Sequence, residues 1–415
     1  MIKKFVVSIC LFFALISFAQ EGTSSPYSFY GIGDVKFKGT VENRSMSGLS
    51  IFGDSIHLNL QNPASLGGLK LTSFSVGGNS NNTRLKSGIE EEKSKRTTLD
   101  YLAVGLPLGK LGASFGLIPY SSVGYKILNR NNNTSTLKKF YGDGGINKVF
   151  LGFGYHLSKN FNIGLNLDYN FGKINTKSSE FIDNVQFGSR EINTSSISGV
   201  NITTGLMYQS KFKGKIQIFG GLTYAPESSL KVNNSRNIQI VQFSNGADDL
   251  LVDDSEVVVS DSKITIPSKT TFGFGLGQVR KWQVGTEIVF QNNSKLTNRF
   301  DDINNVVFEN STKISIGGFY IPKYNSFNSY FKRVTYRGGF NYQNTGLVIN
   351  GKAINDQAFT VGVGLPLGGT FSSINIGFEF GKRGTRLTGL VQENYNNLSI
   401  GLSFNDKWFK KTKYD

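Results

Sequence analysis

Residues 162–171 alternate strictly between two kinds of side chain, and this alternation limits what the chain can form. Apolar side chains occupy every odd position from Ile163 to Phe171, whereas Asn, Gly and Asp occupy the even positions. Such a period of two predicts a β-strand, because successive side chains of a strand point to opposite faces. The same alternation returns in residues 149–157, 200–208, 282–290, 374–380 and 398–404. The sequence therefore predicts an all-β protein.

The second face of these strands decides between a soluble sheet and a membrane barrel. It is built mostly from Gly, Asn, Ser and Thr, and the chain contains 49 Gly in 415 residues. A soluble sheet would carry Lys and Glu there, whereas small uncharged residues fit a crowded polar lumen. Beyond residue 20 no run of eighteen apolar residues is present, as a membrane helix would require. We therefore expect a transmembrane outer-membrane β-barrel.

The spacing of the candidate strands predicts the barrel's size and orientation. Fourteen candidate strands lie within residues 69–404, with long connections of up to 39 residues on one side and mostly four to seven on the other. Short periplasmic turns and long external loops are typical of antiparallel outer-membrane barrels. One connection, residues 321–333, has thirteen residues on the predicted short side. It is the exception to the sorting of loops by length.

Both ends of the chain differ from the barrel. Residues 1–19 begin with two Lys, continue with an apolar stretch and end in Ser-Phe-Ala, which predicts a signal peptide. Its removal would take away Cys10, the chain's one cysteine. Residues 405–415 contain Trp408, Phe409 and four Lys, and we expect them to form a basic aromatic periplasmic tail. The expected location is the outer membrane of a Gram-negative bacterium.

Residues 20–68 lack the alternation, and we expect them to lie in the lumen as an N-terminal hatch. This stretch resembles the long-chain fatty-acid transporter family, which includes barrels of the type IX secretion system. Members of that family are fourteen-stranded barrels closed by an N-terminal hatch. The resemblance is carried by Met46, Ser47, Gly48, Asn62, Pro63 and Ala64.

The resemblance implies two alternative functions. In the first, the hatch controls the passage of a hydrophobic small molecule, which would bind among Tyr27, Phe29 and Tyr30. In the second, the protein is a non-transporting accessory barrel that holds other outer-membrane or periplasmic proteins in a secretion or barrel-assembly complex. The resemblance does not choose between a solute channel and a protein-binding subunit.

Four charged residues fall on the lumen face of predicted strands. A charge on the lipid face near the bilayer centre would cost ~2–4 kcal/mol, which explains why all four lie on the lumen face. Because a charged group in a narrow lumen needs a partner, Arg44 is predicted to pair with one of the three carboxylates in this set. The set comprises Asp168, Glu287, Arg337 and Glu379.

Other kinds of site find little support. Residues 112–116 match the hydrolase pattern G-x-S-x-G but lie within a strand, where the required strand-turn-helix is absent. We therefore expect no catalytic centre and no cofactor.

The net charge of +16 favours anionic lipid or acidic partners, and an exported chain is a poor nucleic-acid binder. An acidic cluster in the longest loop lacks the Gly and terminal Glu of a calcium loop, so solvated charge is favoured over a metal site there. It contains Asp248, Asp249, Asp253 and Asp254.

Overall fold

The computed structural model describes residues 22–88, 90–131, 134–243, 249–296, 305–368 and 371–408. Fourteen antiparallel strands form a ring that closes where the last strand pairs with the first along its whole length. The predicted fourteen-stranded barrel is confirmed. The strands are β1 Thr72–Lys86, β2 Glu91–Leu108, β3 Leu111–Asn131, β4 Thr136–His156, β5 Phe161–Ile182, β6 Phe187–Lys213, β7 Ile216–Ala225 with Ser228–Gln242, β8 Ser262–Ile266 with Lys269–Gln278, β9 Trp282–Gln291, β10 Ser311–Tyr320, β11 Thr335–Ile349, β12 Lys352–Pro366, β13 Ser373–Arg383 and β14 Gln392–Asp406.

The two faces of the wall follow the alternation of the sequence. On β5 the side chains of Leu165, Leu167 and Tyr169 point outward and are exposed, whereas Asn166 and Asp168 point inward and are buried. Lipid offers no hydrogen-bond partner, so closure of the ring satisfies the backbone while the apolar face meets the hydrocarbon. None of the helices in the described ranges is long and apolar enough to cross a bilayer.

Several strands are longer than the bilayer requires. About ten tilted residues suffice to cross a membrane, yet β5 has 22 residues and β6 has 27. The predicted 39-residue loop at 225–263 is also mostly strand, because Ser228–Gln242 pairs with β6 and Leu250–Val257 pairs with the upper part of β7. The sequence pattern ends earlier because strands outside the bilayer no longer need an apolar outer face.

One seam of the wall is only half paired. Strands β2 and β3 pair from Leu102 to Leu108 and no further, within the residues described. Above this point β2 continues with β1, and β3 continues with β4 across a register shift at Pro119. The two walls then separate around a cavity of about 650 Å³, lined by residues that include Leu99, Asp100 and Ser121.

Residues 22–71 lie inside the ring and contact its inward face on many sides. They contain the 3-10 turns Pro26–Phe29 and Pro63–Gly68, a two-residue strand Asp34–Val35 and one α-helical turn, α1, at Val41–Arg44. The side chain of Thr40 caps α1 by accepting a hydrogen bond from a backbone N–H of its first turn. The short strand pairs with β3 beside the half-paired seam.

Three apolar clusters hold this segment in place. The outer cluster lies toward the outer end of the lumen, around Ile32, and the periplasmic cluster lies toward the periplasmic end, around Leu66. The third surrounds Tyr27 and includes Val306, Leu347, Ile349, Ile354 and Leu390. The outer cluster contains Ile32, Tyr120, Val123, Tyr125, Ile146, Ile174, Ile197, Leu230, Val232 and Ile266. The periplasmic cluster contains Val41, Leu58, Leu60, Leu66, Leu69, Tyr101, Ala103, Ile118 and Phe150.

Candidate functional site

The Pro63–Gly68 turn rests directly on glycines of the barrel wall. A Cβ atom added at Gly112 would lie 2.0 Å from a backbone oxygen of this turn, and one added at Gly164 would lie 2.3 Å from a backbone carbon of it. Gly154 and Gly205 are equally crowded by the same region of the segment. Only glycine allows two backbones to approach so closely. The small residues that the sequence predicts to face a crowded lumen are therefore the ones that this turn packs against.

A second turn, just after α1, rests on glycines on the other side of the barrel. A Cβ atom at Gly317 would lie 2.7 Å from the carbonyl oxygen of Met46. Ser47 and Gly48 adopt positive φ angles of 57° and 88°, which reverses the chain there. The Ser47 backbone N–H and hydroxyl each lie 3.0 Å from the hydroxyl oxygen of Thr360 on β12.

The residues that carry the family resemblance lie in these two turns. Asn62 caps the first turn, because its side-chain oxygen accepts a hydrogen bond from the Ala64 backbone N–H at 3.1 Å. The Asn62 side-chain amide also donates to the Leu206 carbonyl on β6 at 3.2 Å. Pro63 begins the turn, where its fixed φ is compatible with the helical start. Both groups of residues that carry the resemblance, 46–48 and 62–64, therefore contact the wall of the barrel.

The predicted lumen charges all point inward, and each has a hydrogen-bond partner. The Glu287 carboxylate accepts hydrogen bonds from the Ser50 backbone N–H at 2.8 Å and from the Ser50 hydroxyl at 2.7 Å. Asp168 pairs with Lys148 at 3.1 Å. Glu379 accepts a hydrogen bond from Asn397 on the neighbouring strand β14, and Arg337 on β11 donates one to Asn375 on β13, across β12. Of the four, Glu287 is the one whose hydrogen bonds reach the N-terminal segment directly.

The predicted partner of Arg44 was wrong. Its guanidinium pairs with Asp100 on β2 at 2.6 Å rather than with Asp168, Glu287 or Glu379. The sequence pattern does not indicate Asp100, because a β-bulge between Leu99 and Tyr101 interrupts the alternation of β2 at this residue. The general expectation, that this cation needs a carboxylate inside the barrel, holds with a different residue.

A second ion pair fixes the start of the segment and was not foreseen from the sequence. Asp34 bonds to Arg383 of β13 at 2.7 Å and to Lys36 at 3.0 Å. Burial alone would raise the pKa of Asp34, but the charges of Lys36 and Arg383 outweigh it and hold the pKa well below its usual value. The predicted strand ended at residue 381, so Arg383 was not recognised as a lumen group.

The aromatic residues of the segment are packed against the wall. The Phe29 ring makes edge contacts with Tyr125 at 5.1 Å and with Tyr30 at 5.2 Å between centroids. The Tyr27 hydroxyl donates a hydrogen bond to the Val391 carbonyl, and its ring lies 5.3 Å from the Arg383 guanidinium. These contacts hold the segment at the outer end of the lumen.

One cavity between the segment and the wall carries many charges. It has a volume of about 310 Å³, and cations and carboxylates line it together with aromatic side chains such as Tyr27, Tyr30 and Phe37. The charged part of this lining suits water and ions better than a hydrocarbon. The charged lining residues are Asp34, Lys36, Lys38, Arg44, Lys269, Glu287, Lys313, Asp356, Glu379 and Arg383.

The acidic residues of the predicted 39-residue loop lie apart from one another in the structure. Asp249 turns inward and pairs with Arg190 at 2.8 Å and Lys139 at 3.0 Å, whereas Asp253 and Asp254 lie exposed on the strand Leu250–Val257. Asp248 lies outside the described residues. No group of three potential metal ligands occurs in the part of the chain that is described. In the predicted tail, Trp408 is exposed and residues 409–415 lie outside the described residues.

Comparison with known proteins finds a family match and several structural likenesses. A sequence-family profile described as BamG matches residues 1–415. No curated protein matches the sequence. The toluene transporter TodX of Pseudomonas putida shares the fold with a TM-score of 0.61 at 15% identity, over 90% of this chain and 100% of that one. The Ralstonia pickettii toluene transporter TbuX gives 0.59 at 14% identity, over 89% and 99%.

A third solved structure extends the likeness to the family predicted from the sequence. A Pseudomonas aeruginosa FadL homologue gives a TM-score of 0.57 at 10% identity, over 89% of this chain and 98% of that one. The predicted resemblance to transporter barrels is therefore confirmed as a likeness of fold. Two of these three structures are named as toluene transporters and the third as a FadL homologue.

Proposed function

The chain belongs to the BamG family, and from this premise we propose that it is an accessory barrel of an outer-membrane assembly complex. In this proposal the protein is exported by its leader to the outer membrane of a Gram-negative bacterium. There it binds other outer-membrane or periplasmic proteins and transports no solute. The N-terminal segment acts as a permanent plug that keeps the barrel closed while it serves as a scaffold. This is the accessory-barrel alternative drawn from the sequence.

The observation that carries this proposal is the fit between the plug and the wall. Glycines on opposite sides of the ring, such as Gly112 and Gly317, leave no room for a methyl group between wall and segment. The cavity of about 310 Å³ between plug and wall is lined by ten charged side chains together with aromatic and aliphatic ones. A hydrophobic solute would have to displace this packing and pass buried ion pairs, which is energetically unfavourable.

Passage of a hydrophobic small molecule is the second candidate, and the half-paired seam favours it. Above Leu102 the walls of β2 and β3 diverge, and the short strand Asp34–Val35 covers the edge of β3 there. In this alternative, movement of the plug would open a lateral path between the seam and the bilayer. The similar structures named as toluene transporters make toluene the natural probe.

A disulfide that locks the plug distinguishes the two candidates. The mature chain is expected to contain no cysteine, so Ser47→Cys combined with Thr360→Cys can form a defined bridge where the two hydroxyl oxygens lie 3.0 Å apart. The variant is expressed in cells that lack the native protein, with each single substitution as the matched control. Two quantities are measured, the amount of other outer-membrane barrels and the rate of toluene entry.

An accessory barrel predicts that the oxidised double variant restores the amount of other barrels as fully as the native chain does. Toluene entry should be the same in locked, single-variant and deletion cells. The proposal fails if deletion leaves the other barrels unchanged while toluene entry falls, and if the lock reproduces that fall.

A further inference from the structure

The long connection on the periplasmic side has an unusual composition. Residues 321–334, here called the rim loop, form a connection of 14 residues between β10 and β11, whereas the other turns on this side have two to six residues. The rim loop contains Lys323, Lys332 and Arg333 and neither Asp nor Glu. The adjacent turn between β8 and β9 adds Arg280 and Lys281. Five cations therefore gather at one part of the rim.

Aromatic side chains lie exposed among these cations. Phe327 is 99% exposed and Phe331 is 74% exposed, and Tyr324 and Tyr330 are also exposed. A Phe ring left in water is unfavourable relative to a buried one. Exposed apolar groups beside cations are typical of a surface that meets the boundary between headgroups and acyl chains.

The rim loop holds its shape through its own hydrogen bonds. The Lys323 backbone N–H donates to the Lys332 carbonyl at 2.8 Å, and the Arg333 backbone N–H donates to the Tyr330 carbonyl at 2.9 Å. The Arg280 guanidinium lies 5.1 Å from the Tyr324 ring centroid, which joins the rim loop to the adjacent turn. The cations and aromatic rings are therefore presented together without a partner being needed to order them.

The rim loop also lies on the lipid side of the wall. Tyr336 shares the outward face of β11 with Tyr342, and its hydroxyl donates a hydrogen bond to the Phe331 carbonyl at 3.2 Å. Tyr residues at this level belong where a membrane meets water. This hydrogen bond holds Phe331 beside the outward face of the wall rather than under the lumen.

From this position and charge, we propose that the rim loop binds anionic phospholipids of the periplasmic leaflet. The cations contact the headgroup phosphates, and Phe327 and Phe331 insert between the acyl chains. Because each Lys or Arg near an anionic surface adds to the attraction, the group gives the barrel a preferred lipid partner at one side of its circumference. This proposal does not depend on the accessory role.

Native mass spectrometry of the delipidated full chain tests the proposal. The protein is offered equal amounts of phosphatidylglycerol and phosphatidylcholine, and the ratio of the two bound lipids is measured. The test variant carries Lys281→Gln, Lys323→Gln and Lys332→Gln, all at exposed positions. The matched control carries Lys93→Gln, Lys95→Gln and Lys126→Gln, which remove the same charge from exposed positions at the external end.

We expect the native chain to retain phosphatidylglycerol preferentially and the rim-loop variant to lose that preference by roughly tenfold. The external control should keep the native ratio. Phe327→Ser should lower the retention of both lipids without changing the ratio. An unchanged ratio in the rim-loop variant, or an equal fall in the control, would overturn the proposal, since the site would then lie elsewhere or the effect would be net charge alone.

Discussion

Replacement of Gly164 by alanine should unseat the Pro63–Gly68 turn from the wall. The added methyl group would lie 2.3 Å from a backbone carbon of that turn, and neither backbone can yield without losing strand or turn hydrogen bonds. Overpacking of this kind costs about 1–3 kcal/mol. Ser65→Cys, which is 5% exposed in the native packing, serves as a reporter for a bulky maleimide. Labelling should become at least about tenfold faster, since ~1.4 kcal/mol is a factor of ten in an opening equilibrium.

The matched control for this variant is Gly220→Ala, combined with the same Ser65→Cys reporter. Gly220 is also a strand glycine without a positive φ, but a Cβ atom there would lie 3.7 Å from its nearest neighbour, which is an ordinary contact. The control should label as slowly as the native chain. Equal labelling rates in the Gly164 variant and the control would show that the turn is not held by close contact with the wall.

Replacement of Arg383 by methionine should destabilise the barrel by up to about 3–5 kcal/mol, because it leaves the carboxylate of Asp34 in a largely buried site with only part of its compensating charge. Lys36, at 3.0 Å, remains as the second partner. The side chains of Asp34 and Arg383 are both only 17% exposed. The free energy of unfolding is measured in detergent with a chemical denaturant. Asp34→Asn in the same chain should recover a large part of the loss, since it removes the incompletely paired charge.

An exposed ion pair provides the comparison. Arg130 and Asp183 lie 3.1 Å apart with side chains 61% and 46% exposed, so Arg130→Met should cost under about 1 kcal/mol. Because the pKa of Asp34 is lowered in the folded state, its contribution is present above the ordinary aspartate pKa and is lost as the pH falls through the lowered value. A native chain and an Arg383→Met variant that lose stability equally on acidification would contradict this assignment.

The strands could be predicted from the sequence because lipid imposes a strict rule on both faces. The odd positions of residues 163–171 must be apolar and the even positions small, so strand, phase and closure follow from the pattern. Lipid imposes no such rule beyond the membrane surface, so the sequence pattern predicts loops where the upper halves of β5 and β6 lie. Their pairing depends on backbone hydrogen bonds that no side-chain period reports.

The interior could be predicted only in outline. The resemblance placed Met46 and Pro63 in the segment inside the barrel, and the small residues of the wall indicated crowding. The stagger of the strands around the ring decides which glycine contacts which turn. This stagger is a property of the closed barrel. The pairs Arg44 with Asp100 and Asp34 with Arg383 join residues whose relative depth no linear pattern gives.

Isolation of the native complex tests the accessory role most directly. The full chain carries an affinity tag on an external turn and is extracted from its own outer membrane in mild detergent. The components are then identified and their stoichiometry is measured by mass spectrometry. The account predicts a defined complex that contains other envelope proteins in fixed ratio to the barrel. A barrel recovered alone, with an apolar small molecule bound inside it, would contradict the account.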